Sequence, residues 1–312
     1  MKVAVTGSTG FIGSHLVPAL LRSDHEVTSI VEPGMEKAVS GTKMFEADIS
    51  AAAGISEAFA GADSVVHLAA RNHVLKETAR DPLAEYRRVN VEGTRNVVRA
   101  ASSSGVKCFV HLSSVKAMGE ESKNILDEES PCAPKTPYGI SKLESEEVVR
   151  AEATRTGMRA VILRLPMAYG PRNKGNLPRM IRWADRGFPF PLFQPDNLRS
   201  MVYVENVVAG IMAVLKNPPA GVSTCIVKDK EDCSTRAVYS AICRELGKTP
   251  RFLSIPELAV RLGGVLSEDF QKVAGSFRVS SARFEKEFGF TPPHSLEEGI
   301  ARTVRWYLDS AH

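Results

Sequence analysis

The chain has 312 residues, 43% hydrophobic and 24% charged, which fits one large or two modest globular domains with an ample core and excludes disordered, fibrous and collagen-like classes. Lysine and arginine number 40 against 36 acidic residues; the net charge of +4 is too slight for a nucleic-acid footprint, and the densest basic stretch, Arg172 to Arg186, is interrupted by apolar residues. No apolar run approaches a membrane span, Val3 to Val5 is too short for a secretory signal, and Cys108, Cys132, Cys225, Cys233 and Cys243 show neither a C-x-x-C pair nor zinc spacing, so a soluble, cytoplasmic, metal-free protein is expected.

The predicted elements alternate along the first half. Lys2 to Thr6 is a β-branched apolar run, Phe11 to Arg22 carries apolar residues at helical spacing, and Glu26 to Val31 returns to strand character. Ser64 to Leu68, Lys107 to Leu112 and Ala160 to Leu165 are further strands, interleaved with helical stretches such as Leu83 to Ser104 and Tyr138 to Thr156. Such alternation predicts an α/β fold with a doubly wound, Rossmann-type parallel sheet. From Pro166 to Pro195 six prolines punctuate the chain, so the expected division is 1–165, rejoined by about 201–227, and a smaller mixed region within 166–312. Met201 to Leu215 reads as a strand and helix returning to the main domain, and the acidic stretch Glu120 to Pro134 as an exposed loop above the site.

Directly after the first strand comes Thr6-Gly7-Ser8-Thr9-Gly10-Phe11-Ile12-Gly13, its glycines spaced Gly-x-x-Gly-x-x-Gly, one residue wider at the first gap than the usual dinucleotide fingerprint. Small residues suit a tight turn whose backbone approaches a pyrophosphate at a helix start. A plain strand-to-helix turn is the simpler alternative; the position between a five-residue strand and an amphipathic helix favours the nucleotide reading. Glu32, closing the second strand, can accept hydrogen bonds from the adenosine ribose and would repel a 2′-phosphate, favouring NAD over NADP, unless it is a solvated loop residue. Asp48 is a second acid, either near the adenine amino group or a local cap.

Thr136-Pro137-Tyr138 reads as an N-cap, a first-turn Pro and a helix opening, with Lys142 four residues after Tyr138 on the same face. A neighbouring ammonium and a helix N-terminus both favour a phenolate, so the pair can bring Tyr138 from about 10 toward working pH. The alternative is a surface helix pair. Ser113 and Ser114 add weight, since they end the strand Lys107 to Leu112 where open α/β sheets bind ligands.

These motifs, with Val66-His67-Leu68-Ala69-Ala70, Val89-Asn90-Val91-Glu92-Gly93-Thr94, Leu163-Arg164 through Tyr169-Gly170-Pro171, and Ser295-Leu296-Glu297-Glu298-Gly299, make the chain resemble an extended short-chain dehydrogenase/reductase of the NAD-dependent epimerase/dehydratase family, most similar to its UDP-glucose 4-epimerase-like branch. The resemblance implies that Gly7, Gly10, Phe11, Ile12 and Gly13 hold the pyrophosphate and that Asp48 and Ile49 lie beside the adenine. It implies that Leu68, Ala69, Ala70 and Pro166 line the cofactor, with Lys142 on the nicotinamide ribose. Ser114, Tyr138 and Lys142 would form the catalytic triad, Ser114 being preferred to Ser113 because it lies five residues before Gly119. Asn176 and Leu177 match a uridine-diphosphate-contacting pair, and Arg199 an Arg on the sugar nucleotide's pyrophosphate; a surface salt bridge is the alternative for Arg199. The same resemblance implies a homodimer packed through Leu83 to Ser104 and Tyr138 to Thr156.

Departures from the branch bear on the substrate. Lys116-Ala117-Met118-Gly119 replaces the usual Val-Tyr-Gly setting, Met167-Ala168 replaces an Asn-Val pair, and a Gly-Arg-Pro-Gly-Asp-like segment is absent near Arg278. The leading expectation is an NAD-dependent UDP-hexose 4-epimerase acting on UDP-glucose or UDP-GlcNAc by transient oxidation at C4. The runner-up is an NAD(P)H-dependent reductase of a UDP-4-keto-6-deoxy-hexose in polysaccharide biosynthesis, in which Tyr138 serves as acid rather than base. A non-catalytic cofactor-binding regulator is the third reading, opposed by retention of the whole triad.

Overall fold

A computed structural model describes residues 1–34, 39–51, 54–72, 79–122, 124–192, 197–254 and 276–311; Pro195 of the proline series lies outside them. The strands are β1 (Lys2–Thr6), β2 (Glu26–Val31), β3 (Lys43–Glu46), β4 (Ser64–His67), β5 (Cys108–Ser114), β6 (Ile125–Leu126), β7 (Arg159–Leu165), β8 (Met167–Tyr169), β9 (Phe190–Leu192), β10 (Met201–Tyr203), β11 (Val222–Ile226), β12 (Phe252–Ser254) and β13 (Arg278–Val279). The helices are α1 (Gly13–Arg22), α2 (Pro82–Tyr86), α3 (Gly93–Ser103), α4 (Pro137–Thr156), α5 (Asn176–Asp185), α6 (Val204–Lys216), α7 (Thr235–Glu245), α8 (Ala282–Phe288) and α9 (Leu296–Ala311).

Seven parallel strands form the main sheet in the order β11-β7-β5-β4-β1-β2-β3. The order reverses at β1, so the crevice at the carboxyl ends of β1 and β4 is the place where such sheets take ligands. Alternation along each strand sends side chains to opposite faces. Val3 and Val5 of β1, Val66 of β4 and Val110 and Leu112 of β5 pack with Leu16, Val17 and Leu20 of α1 and Val207 and Ile211 of α6. Their neighbours Ala4, Val65 and Phe109 pack with Val97, Val98 and Ala101 of α3 and Val149 and Ala153 of α4. A separate core joins α5, α7 and α9 through Leu177, Ile181, Tyr239, Ile242, Ile300 and Val304.

Three features differ from the sequence expectation. The helix expected over Leu83 to Ser104 is built in three successive pieces: α2, a π-helical turn at Arg87–Glu92, and α3. Asp81 caps it, its Oδ1 accepting from the Ala84 amide at 3.1 Å. Of the piece Met201 to Leu215, the helix does pack on the main core, but β10 pairs with β8 in a small separate sheet, and β11 closes the main sheet instead. Glu120 to Pro134 is tied down: β6 within it pairs with β13, and Glu120 accepts hydrogen bonds from the Lys135 and Thr136 amides and the Thr136 hydroxyl.

Among the described residues no helix is long and apolar enough to cross a membrane, and no cluster of His, Cys, Asp and Glu could hold a metal. All five cysteines are free.

Candidate active site

The β1–α1 turn is tight enough to exclude side chains. Gly7 has φ +67°, and a Cβ there would lie 2.8 Å from the Ala69 amide nitrogen, where β4 ends. A Cβ on Gly13 would lie 2.3 Å from the Gly7 carbonyl oxygen and one on Gly10 3.1 Å from the same atom. No side chain caps α1; the Ser14 amide donates to the Gly10 carbonyl at 2.9 Å and the Leu16 amide to the Ile12 carbonyl at 2.9 Å, and the cavity meets the turn at Phe11, Ile12 and Gly13. This is a cradle shaped by glycines, and the close backbone approach they allow suits a bridging diphosphate.

The cavity that begins there has a volume of about 550 Å³ and runs to Ser114 and Tyr138. Every residue expected at a dinucleotide lies on its walls: Gly7, Gly10, Phe11, Ile12, Gly13, Glu32, Asp48, Ile49, Leu68, Ala69, Ala70, Tyr138, Lys142 and Pro166. At one end Asp48 Oδ1 accepts from the Ser50 amide and hydroxyl, both at 2.8 Å, which holds its carboxyl below the usual carboxylate range. The cap-like geometry and the cavity position therefore coexist at Asp48. Arg88 on the π-helical turn donates to Ser50 Oγ at 2.9 Å and joins the same wall.

At the other end α4 begins as expected: Thr136 Oγ1 accepts from the Gly139 amide at 3.1 Å, with Pro137 in the first turn. Tyr138, one helical turn before Lys142, packs edge-on against Tyr86 with ring centroids 6.0 Å apart. The Ser114 hydroxyl, which donates to the Leu165 carbonyl at 3.4 Å and accepts from the Lys116 amide at 3.2 Å, lies beside the Tyr138 phenol and acts to hold it down. Ser113, by contrast, turns inward and donates to Glu146 Oε1 at 2.5 Å, so of the two serines Ser114 is the one set against the phenol. Lys142 is buried, and its Nζ donates to the Leu112 carbonyl at 2.6 Å.

The expectation that Lys142 draws the Tyr138 phenol toward neutrality is not met: burial prevails and pushes the phenol up to about 12, opposed by the Ser114 hydrogen bond. Burial likewise pulls Lys142 down to about 8, opposed by Glu146. The ammonium is spent on a carbonyl of β5 rather than on the phenol.

Of the sequence-predicted substrate contacts, Ser114 and Tyr138 lie on these walls, whereas Asn176, Leu177 and Arg199 do not. Leu177 is a core residue of the α5–α7–α9 cluster, so its side chain faces apolar neighbours and not a ligand. Asn176 opens α5, and Arg199 sits half-buried where its backbone bridges Cys233 and Phe277.

Sequence reasoning also passes over groups that shape the cavity. Buried His67 joins Thr6 Oγ1 (2.7 Å from Nδ1) to Thr94 Oγ1 (3.0 Å from Nε2), and Thr6 Oγ1 in turn accepts from the Ala69 amide at 3.2 Å. Asn90 clamps the chain after β4, accepting from the Arg71 amide at 2.7 Å and donating to the Arg71 carbonyl and to Ser141 Oγ of α4. Both stand in recognised motifs, but only the folded partners reveal their work. Ala168 lines the cavity and makes that stretch of wall apolar.

The family model described as the NAD dependent epimerase/dehydratase family matches residues 3–227. The UDP-glucose 4-epimerase of Vibrio cholerae is 33% identical over 317 residues, covering 99% of this chain and 96% of that protein. The N-acetyl-alpha-D-glucosaminyl-diphospho-ditrans,octacis-undecaprenol 4-epimerase of Escherichia coli O157:H7 is 30% identical, covering 98% and 95%. Among solved structures, that of the Thermus thermophilus UDP-glucose 4-epimerase complexed with NAD superimposes with a TM-score of 0.80 at 27% identity, covering 99% of each chain. Motifs, sheet order, cavity and full-length relatives agree: the chain belongs to the NAD dependent epimerase/dehydratase family.

Proposed function

We propose that the protein is an NAD-dependent nucleotide-sugar epimerase that inverts C4 of a UDP-hexose. The observation that carries the proposal is that one cavity joins the glycine cradle to Ser114, Tyr138 and Lys142. The full-length relatives named for 4-epimerisation support the nucleotide-sugar class. In this reading residues 1–165 with 201–227 hold the dinucleotide, and the remainder of 166–312 holds the sugar nucleotide, with Asn176 at the uridine end and the Arg199 guanidinium on the diphosphate.

NAD, when bound, supplies the hydride acceptor and donor and a positive ring that favours a nearby phenolate. Glu32 at its ribose end disfavours a 2′-phosphate. Tyr138 Oη takes the proton of the sugar 4-hydroxyl and later returns it, acid and base roles exchanging with direction. Ser114 Oγ orients that oxygen while the 4-keto sugar turns. Lys142 fixes the phenol's surroundings from the buried side. We further propose a homodimer packed through α3 and α4, and a cytoplasmic location.

The test is a panel of UDP-glucose, UDP-GlcNAc and a UDP-4-keto-6-deoxy sugar, each with and without added NADH or NADPH. C4-inverted product without added cofactor is expected. Strict consumption of reduced cofactor with turnover of the keto sugar alone would favour the reductase instead.

A further inference from the structure

We infer that Glu146 is a positioning residue of the reaction: from the face of α4 that carries Tyr138 and Lys142, it supplies the fixed negative charge that keeps Lys142 an ammonium, and it anchors the end of β5 that presents Ser114. The inference rests on the proposed roles of Tyr138 and Lys142 and adds to them a group outside the cavity walls.

Tyr138, Lys142 and Glu146 follow one another at four-residue spacing, so all three lie along one stripe of α4. Glu146 is fully enclosed. Its carboxylate accepts from Arg164 Nε at 3.0 and 3.2 Å, from Arg164 Nη2 at 2.7 Å and from Ser113 Oγ at 2.5 Å. Sheet register explains the meeting, since Arg164 of β7 pairs directly with Ser113 of β5. The cluster thereby fastens α4, β5 and β7 together one residue behind Ser114.

Stability alone does not account for an ion pair here, because apolar residues of similar volume usually serve a core at least as well. The guanidinium is also incompletely served: Arg164 Nη1 is buried without a hydrogen-bond partner, whereas the carboxylate is saturated. The cluster is organised around the anion.

The groups facing Lys142 show what that anion does. On α4 they are Tyr138 and Glu146; on β4 and β5 they are His67 and His111, stacked with centroids 5.4 Å apart; on β7 it is Arg164, behind Glu146. Burial keeps both imidazoles neutral, His67 being pushed down to about 3, and Lys142 lowers them further. Glu146 is the one anion of this set. Against the burial that draws Lys142 down to about 8, it acts in the opposite sense.

The experiment titrates Lys142 directly in the full-length, cofactor-free protein by nitrogen NMR of 15N-lysine, the signal being assigned with Lys142→Met. Two variants remove the charge without stranding a buried ion: Glu146→Gln/Arg164→Met and Glu146→Leu/Arg164→Leu. Each should lower the Lys142 midpoint by about one pH unit, a tenfold change in its proton equilibrium. Arg164→Lys keeps the ion pair and should leave the midpoint in place. An unchanged midpoint in either charge-removing variant, or an equal fall in Arg164→Lys, overturns the inference. In the active enzyme the alkaline limb of kcat/KM should move down in parallel. Should the wild type turn over no nucleotide sugar, the proposed function fails while the titration still decides the role of Glu146.

Discussion

The two halves of the molecule use their motifs differently. In the sheet half, Gly7, Gly10 and Gly13 press the turn into a ligand cradle, and the strand ends of β1, β4 and β5 put Ala69 and Ser114 on the same cavity. In the C-terminal half, motif residues serve packing. A Cβ on Gly299 of α9 would meet Tyr169 Oη at 2.7 Å, and one on Gly170 would meet Val204 Cγ1 at 2.5 Å. Tyr169 itself is buried and donates to Asp229 Oδ2 at 2.9 Å, while Asp229 Oδ1 accepts from the Tyr203 amide and Asn206. A motif is therefore a ligand site where a sheet edge opens it and a structural clasp where helices close over it.

The sharpest way to separate the halves is at the phenol. Tyr138→Phe should lower turnover by about 10²- to 10⁴-fold, the range for a lost acid–base group, while the melting temperature and NAD affinity stay near wild type. Steady-state assays beside a thermal melt read both. Next comes the cradle. Gly13→Ala forces a methyl to within 2.3 Å of the Gly7 carbonyl, so the turn must open. Calorimetric NAD affinity should fall by about 100-fold, roughly 2.7 kcal/mol.

The matching change in the other half should leave the chemistry alone. Gly299→Ala crowds Tyr169 and Tyr203 and should cost about 1–3 kcal/mol in urea unfolding, with NAD affinity unchanged. A loss of affinity there would erase the distinction between the halves.

Lys142 gives the smallest and most conditional effect. With its midpoint drawn from 10.5 to about 8, the folded protein binds fewer protons than the unfolded chain across that window. Stability therefore rises with pH between those limits, and at pH 7 the buried ammonium lowers it by about 3 kcal/mol. Lys142→Met should be more stable at pH 7 by about 2 kcal/mol, after losing the bond to Leu112, with the advantage gone above pH 10.5. Its activity should collapse nonetheless. Denaturant titrations at pH 7 and 11 measure the first half of that statement.

The same contrast explains how much is legible before folding. Strands such as Lys2–Thr6 and Glu26–Val31 are short apolar runs bounded by turns, and their order brings all the expected cofactor residues to one cavity. The exposed, four-residue β3 carries too brief a pattern to register, although it leads directly to Asp48. The electrostatics at Tyr138 escape a sequence reading because spacing shows that Lys142 shares a helix face but not that its ammonium points at the Leu112 carbonyl. His67, Asn90, Glu146 and Arg164 are similarly opaque, since each acts through partners 18 to 61 residues away in sequence. Asn176, Leu177 and Arg199 fail to meet the cavity because their placement depends on helix packing rather than on a sheet edge.

The most direct measurement of the central claim uses UDP-glucose carrying deuterium at C4, incubated with purified protein and no added cofactor, with the product's C4 read by NMR and mass spectrometry. Hydride leaving and returning within one site beside Tyr138 predicts C4-inverted product with the deuterium retained at C4. Inverted product that has lost its deuterium to solvent, or no inversion until reduced cofactor is supplied, would contradict it.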